Sequence, residues 1–333
     1  MKRSLIAVGL LIAAIGTAQA QKLTGAGATF PYPIYSKWFS QYSSAHPGVE
    51  VNYASIGSGG GIAQVTKGLV DFGASDMPMT DDMLSSSPVK LIHIPTVLGA
   101  VVPVFNVPGV KELRFSPDVL ADIYLGKISN WNDPRIAKDN PDAKLPDQKI
   151  IVVHRSDGSG TSFIWTDYLS KVSKDWAGGP GKGTALSWPT GVGGKGNDGI
   201  AGLVRQMPGA IGYVELIYAI QNHITFGSVK NAAGNWITAS IQGVTEAAAS
   251  VKNMPADYRV SITNAPGANS YPISSFTYLL IPKSGGDQSK RTVLKDLLSW
   301  MLKSGESQAS DLSYAPLPQS LVEQELKTIY AIQ

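Results

Sequence analysis

Ile150-Ile-Val-Val-His-Arg-Ser-Asp-Gly-Ser-Gly-Thr-Ser-Phe163 is the stretch on which the fold turns. Its first four residues are the apolar β-branched run of a buried strand, and from Phe163 onward Ile164, Trp165, Tyr168 and Leu169 recur at helical spacing. The turn between them, Arg155-Ser-Asp-Gly-Ser-Gly-Thr-Ser162, offers free backbone N–H groups, the hydroxyls of Ser159, Thr161 and Ser162, and one guanidinium at a helix N-terminus, whose dipole favours negative charge. That is the chemistry of an oxyanion seat. The same residues also suit an ordinary strand-to-helix turn, with Gly for conformation and Ser or Thr for capping, and the rest of the chain decides between the two.

Working back, Gly25-Ala-Gly-Ala-Thr29-Phe30-Pro31 is a tight loop followed by Ile34, Tyr35, Trp38, Phe39 and Tyr42, an amphipathic helix for which Thr29 reads as an N-cap. Val49 to Ser55 alternates like a strand, and Gly57-Ser58-Gly-Gly-Gly61 follows as a loop before a helical pattern, open to close approach by a ligand. Asp71-Phe-Gly-Ala-Ser-Asp76-Met-Pro78 ends a short apolar segment, so Asp76 is either a cap for the helix from Met79 or a carboxylate facing a ligand. The almost wholly apolar runs 92–106 and 271–282 read as buried strands passing between two lobes. Residues 117–125, 290–303 and 321–331 show helical spacing, and the alternation of strands and helices indicates an α/β fold.

Several chemistries are excluded or disfavoured. With no cysteine there is no disulfide, thiolate metal site or Cys nucleophile, and the four histidines, at 46, 93, 154 and 223, lack a second ligand at helical spacing. Gly191-x-Gly-x-x-Gly196 follows Trp-Pro-Thr rather than a strand, so a dinucleotide site is rejected, and no P-loop Gly-Lys-Ser/Thr is present. Met1 to Ala20 has a basic start, an apolar run and a small-residue end, the pattern of a secretory signal peptide cut before Gln21. Two of the 28 basic residues fall in that leader, which leaves them nearly matched to the 25 acidic ones and argues against nucleic acid or an anionic membrane as partner. An enzymatic alternative, a Ser hydrolase built from Ser159, His154 and Asp157, lacks the Gly-x-Ser-x-Gly elbow.

Taken together, Gly25-Ala-Gly-Ala-Thr-Phe-Pro, Gly57-Ser-Gly-Gly-Gly, Asp71-Phe-Gly-Ala-Ser-Asp-x-Pro, Tyr124-Leu-Gly-Lys-Ile-x-x-Trp-Asn-Asp, Arg155-Ser-Asp-Gly-Ser-Gly-Thr-Ser-Phe, Gly193-Gly-Lys-Gly-Asn-Asp-Gly and Pro208-Gly-Ala-Ile-Gly-Tyr-Val-Glu closely resemble the periplasmic phosphate-binding proteins of high-affinity phosphate ABC transporters. The resemblance spans nearly all of the chain after the leader and is weakest over 231–269. It implies a class II solute-binding fold: α/β, two lobes of mixed sheet flanked by helices, joined by two crossover strands. Lobe one would hold residues 21–98 and 272–333, and lobe two residues 99–271. Carried over by position, the phosphate ligands would be Thr29, the Phe30 backbone N–H, Ser58, Asp76, Arg155, Ser159, Gly160 and Thr161, with Asp157 holding Arg155. It further implies a monomer of the Gram-negative periplasm without cofactor or metal, which binds inorganic phosphate rather than turning it over and docks on membrane permease subunits. Asp76 would select phosphate, whose proton it can accept, against sulfate, which has none to give.

Overall fold

The computed structural model describes residues 21–332, so the signal peptide expected over 1–20 lies outside the described residues. The strands, in chain order, are β1 (Gln21–Gly27), β2 (Val49–Ser55), β3 (Phe72–Ser75), β4 (Leu91–Asn106), β5 (Arg114–Phe115), β6 (Ile151–Arg155), β7 (Val192–Gly194), β8 (Ala210–Glu215), β9 (Ser228–Lys230), β10 (Trp236–Ile237) and β11 (Ser274–Pro282). Among the described residues they form one eight-stranded sheet, ordered β2-β1-β3-β11-β4-β8-β6-β7, and a small sheet of β10, β9 and β5.

The fold is mixed α/β in two lobes, and β4 belongs to both. Its residues 91–100 pair antiparallel with β11, while 101–106 pair antiparallel with β8, so the two halves are a single ladder. Of the two crossovers read from the sequence, the first is thus one 16-residue strand. The second passes beside it, the Val101 N–H donating to Ile273 O, and becomes β11. Outward from this antiparallel centre each half turns parallel: β1 with β2 and β3 on one side, β6 with β7 and β8 on the other.

Helices cover both halves. Tyr32–Ala45, Ser58–Thr66 and Gln288–Lys303 pack on the first, Gly160–Val172, Gly196–Gln206 and Leu216–Gln221 on the second. Each half has its own aromatic core. Tyr35, Phe39, Tyr53 and Phe72 meet in one, and Trp165 stacks on Tyr213 beside Tyr124 in the other. The sequence placed Gly59, Gly60 and Gly61 in a loop before a helix, whereas the helix begins at Ser58 and takes them into its first turn. Close packing explains this. A Cβ on Gly61 would collide with Gly27 Cα, Ala26 O and Ala74 O, so only glycine lets this helix lie on β1 and β3 and bring Ser58 to the ends of those strands.

Gly61→Ala is therefore expected to cost about 1–3 kcal/mol by forced displacement of packed backbone. Gly202→Ala, in the helix Gly196–Gln206 with nothing within 4 Å of the added carbon, is expected instead to gain about 0.5–1 kcal/mol in helix propensity. Paired urea denaturation curves of the two variants check both signs.

Candidate functional site

Four helix N-termini meet where the two halves of the sheet face each other. They open the helices Tyr32–Ala45, Ser58–Thr66, Gly160–Val172 and Gly196–Gln206, each following the C-terminal end of a strand, where ligands of open α/β sheets bind. Thr29, Ser58, Asp76, Arg155, Ser159 and Thr161, all picked out from the sequence, are buried there together.

The hydroxyls share one pattern. Thr29 Oγ1 accepts from Asn197 Nδ2 at 2.8 Å, Thr161 Oγ1 from the same amide at 3.1 Å, Ser58 Oγ from the Asp76 N–H at 3.2 Å and Ser159 Oγ from the Ser162 N–H at 3.0 Å. Each oxygen is occupied as an acceptor by the protein, so each keeps its own O–H proton to give. The backbone N–H groups of Phe30, Ser58, Gly160 and Thr161 have no acceptor among the described residues. The chamber is lined by donors.

Two charged groups complete it. Arg155 ends β6, and its Nε and Nη2 form a bidentate pair with Asp157 at 2.8 and 2.7 Å, which fixes the plane of the guanidinium. The Gly196 N–H adds a third bond to Asp157, and Arg155 with Gly196 keeps its carboxyl below the usual range despite burial. Arg155 Nη1 is buried without a partner among the described residues. Asp76 lies opposite. Its Oδ1 accepts from the Thr277 hydroxyl at 2.8 Å, and its Oδ2 is buried and unpaired. Burial pushes this carboxyl up to about 7, opposed by Thr277, Arg155 and Ser58. Gly160 leaves room beside the carboxylate, since a Cβ there would strike both Ser58 Oγ and Asp76 Oδ2.

Three of the alternatives weighed from the sequence are not realised in the structure. Thr29 is not the N-cap of its helix; that position is Pro31, and the Thr29 hydroxyl faces Asn197 instead. Asp76 caps nothing, because the next helix begins at Asp81 under Thr80. The hydrolase constellation is not assembled. The His154 ring stacks on Trp188 with centroids 4.9 Å apart, and the Asp157 carboxylate is engaged by Arg155. Residues that the sequence reading gave no role are also built in: Asn197 bridges Thr29 and Thr161 across the cleft, its Oδ1 accepts from the Glu215 N–H at 2.9 Å, and Tyr218 OH donates to Thr29 O at 2.5 Å. The Gly59 N–H donates to Gly158 O at 2.9 Å, closing the rim with backbone alone. Among the described residues no cluster of three or more His, Cys, Asp or Glu could hold a metal ion, and no helix is long and apolar enough to cross a membrane.

The sequence model of the PBP superfamily domain matches residues 13–305. The chain is 46% identical to the phosphate-binding protein PstS of Xylella fastidiosa over 91% of this chain and 83% of that protein. It is 45% identical to the phosphate-binding protein PstS of Pasteurella multocida over 97% of this chain and 94% of that one. Among solved structures, a high affinity periplasmic phosphate-binding protein (PfluDING) bound with phosphate superposes with a TM-score of 0.74 at 21% identity, over 91% of this chain and 92% of that chain, a likeness of fold. With a superfamily match over most of its length and relatives this similar, the chain belongs to the PBP superfamily and, within it, to the family of the PstS phosphate-binding proteins.

Proposed function

We propose that this protein captures inorganic phosphate in the periplasm and delivers it to the permease of an ABC transporter, acting as a monomer. The reading rests above all on one observation: the same chamber holds a buried acceptor, Asp76 Oδ2, and a buried donor, Arg155 Nη1, neither of them paired within the protein. A ligand that satisfies both must accept hydrogen bonds at several oxygens and donate at one. Phosphate near neutral pH does this and sulfate cannot. An unpaired buried carboxylate costs on the order of 3 kcal/mol or more, at least a hundredfold in affinity. Thr29, Ser58, Ser159 and Thr161 would give their hydroxyl protons to the anion, and Phe30, Ser58, Gly160 and Thr161 their backbone N–H groups. Arg155, held by Asp157, would add the positive charge. The names of the relatives agree with this ligand.

Capture and release then follow from opening and closing. Residues 21–98 with 272–333 would form one lobe and 99–271 the other, rotating about β4 and the segment beside it. An empty closed chamber leaves Asp76 and Arg155 unpaired, so closing is favoured only with cargo, and the permease would receive the closed, loaded form.

Calorimetric titration of the ligand-stripped protein, first with phosphate and then with sulfate at pH 7.5, is the direct test. One-to-one phosphate binding without a sulfate response is expected; comparable binding of sulfate by the wild-type protein would overturn the selectivity argument. Asp76→Asn should gain sulfate affinity, most strongly at alkaline pH where the carboxylate is fully ionised, because the amide offers a donor where the carboxylate repels.

A second expectation concerns pH. Closing raises the Asp76 carboxyl from its ordinary value to about 7, so the closed empty form binds this proton more tightly than the open one. Its contribution to closing is fully present below the ordinary carboxylate range and is lost as pH rises through about 7. Small-angle scattering of the ligand-free protein should show the compact form gaining population from pH 8 to pH 5, and Asp76→Asn should remove that dependence.

A further inference from the structure

Thr277 lies in β11, within the apolar run 271–282, and nothing in its surroundings there marks it as part of a site. Its side chain is fully buried and its Oγ1 donates to Asp76 Oδ1 at 2.8 Å. The direction is fixed, because an ionised carboxylate can only accept. Strand pairing brings the two residues together: Tyr278 is opposite Ser75, which sets Thr277 level with Asp76 at the end of β3.

The backbone is altered at this point. The register of β11 against β4 shifts between Thr277 and Tyr278, their partners being Val97 and Pro95, so that Thr96 is skipped. Such a bulge re-aims side chains beside it. The freed Thr96 hydroxyl bonds to the Thr277 carbonyl at 3.4 Å and to Tyr35 OH at 2.7 Å, which fixes the backbone that carries Thr277.

We propose that Thr277 is a positioning residue for oxyanion selectivity: by occupying Oδ1 of Asp76 it presents Oδ2 alone to the ligand and favours the ionised, hydrogen-bond-accepting form of the carboxyl. This inference rests on the phosphate reading of the site. Ionised, Asp76 rejects an anion without a proton; protonated, it would donate to one, and sulfate would become an acceptable ligand. The charged and titratable groups within reach of Asp76 are Arg155, which favours the ionised form, Glu215, whose own carboxyl burial holds well above its usual range, and the phenols of Tyr35, Tyr53, Tyr218 and Tyr314. Burial works to neutralise Asp76, and the Thr277 bond is the first of the opposing influences.

The test is the pH dependence of sulfate binding, read by calorimetry between pH 5 and pH 9 with phosphate binding at pH 7.5 as reference. In the wild-type protein sulfate binding should appear only as pH falls below about 7. Thr277→Val should move that onset to higher pH by about one unit or more, raising sulfate affinity at pH 7.5 about threefold, because a lost hydrogen bond to the charged form raises a carboxyl pKa. Thr277→Ala should give the same alkaline shift without the added methyl, and Thr277→Ser, which restores the hydroxyl, should return the wild-type profile. A merely structural role would weaken both anions alike and leave the onset in place. Wild-type phosphate binding together with an unmoved sulfate onset in the Val and Ala variants would overturn the role of Thr277 alone. No phosphate binding by the wild-type protein would overturn the reading of the site and this inference with it.

Discussion

A carboxylate taken out of water with one oxygen left unpaired is the constraint on which the rest of this structure depends. Asp76 is buried against the end of β3, with Thr277 on Oδ1 and nothing from the protein on Oδ2. Such a group is expensive unless something completes it. The surroundings reduce that cost only in part: Arg155 stabilises the carboxylate electrostatically, yet it is turned by Asp157 so that it too has one nitrogen unspent. The protein holds two opposite charges near each other without joining them, and the space beside Asp76 Oδ2 and Ser58 Oγ is kept open by the absence of a side chain at Gly160.

The architecture keeps that gap from collapsing. A flexible pair of side chains would close on itself, but here both are carried on the ends of strands in one continuous ladder and locked by bonds that point away from the chamber. Asn197 does the same for the hydroxyls, using one amide to occupy the oxygens of Thr29 and Thr161 while its own carbonyl is taken by the Glu215 N–H. Preorganisation of this kind removes rotamer entropy from the binding step.

Much of the site was legible because its residues sit at joints between strand and helix, where Gly, Ser and Thr stand out from apolar surroundings. Thr29, Ser58, Arg155, Ser159 and Thr161 were readable in that way, and the resemblance to a known family added Phe30 and Gly160. Asn197 escaped assignment although its glycine-rich segment was noted, since local sequence does not reveal which hydroxyls an amide will reach across a cleft. Thr277 was invisible for a different reason. A lone threonine in a run of β-branched and aromatic residues is what strand propensity asks for, and its role appears only once β11 is paired with β3. The helix at Ser58 shows tertiary packing overriding local preference: three glycines stand in its first turn, and at Gly61 the strands beneath leave no room for a Cβ.

The rim of the cleft, where the Gly59 N–H meets Gly158 O, is made by two residues without side chains. A door whose edges are bare backbone cannot be adjusted by exchanging one side chain for another of similar character. Any substituent at either edge stands in the gap as a wedge, since a Cβ on one glycine already presses on the other. A side chain there would have to be met by a shift of a few tenths of an ångström, so such a change would alter the fit of the two edges and none of the anion-binding groups.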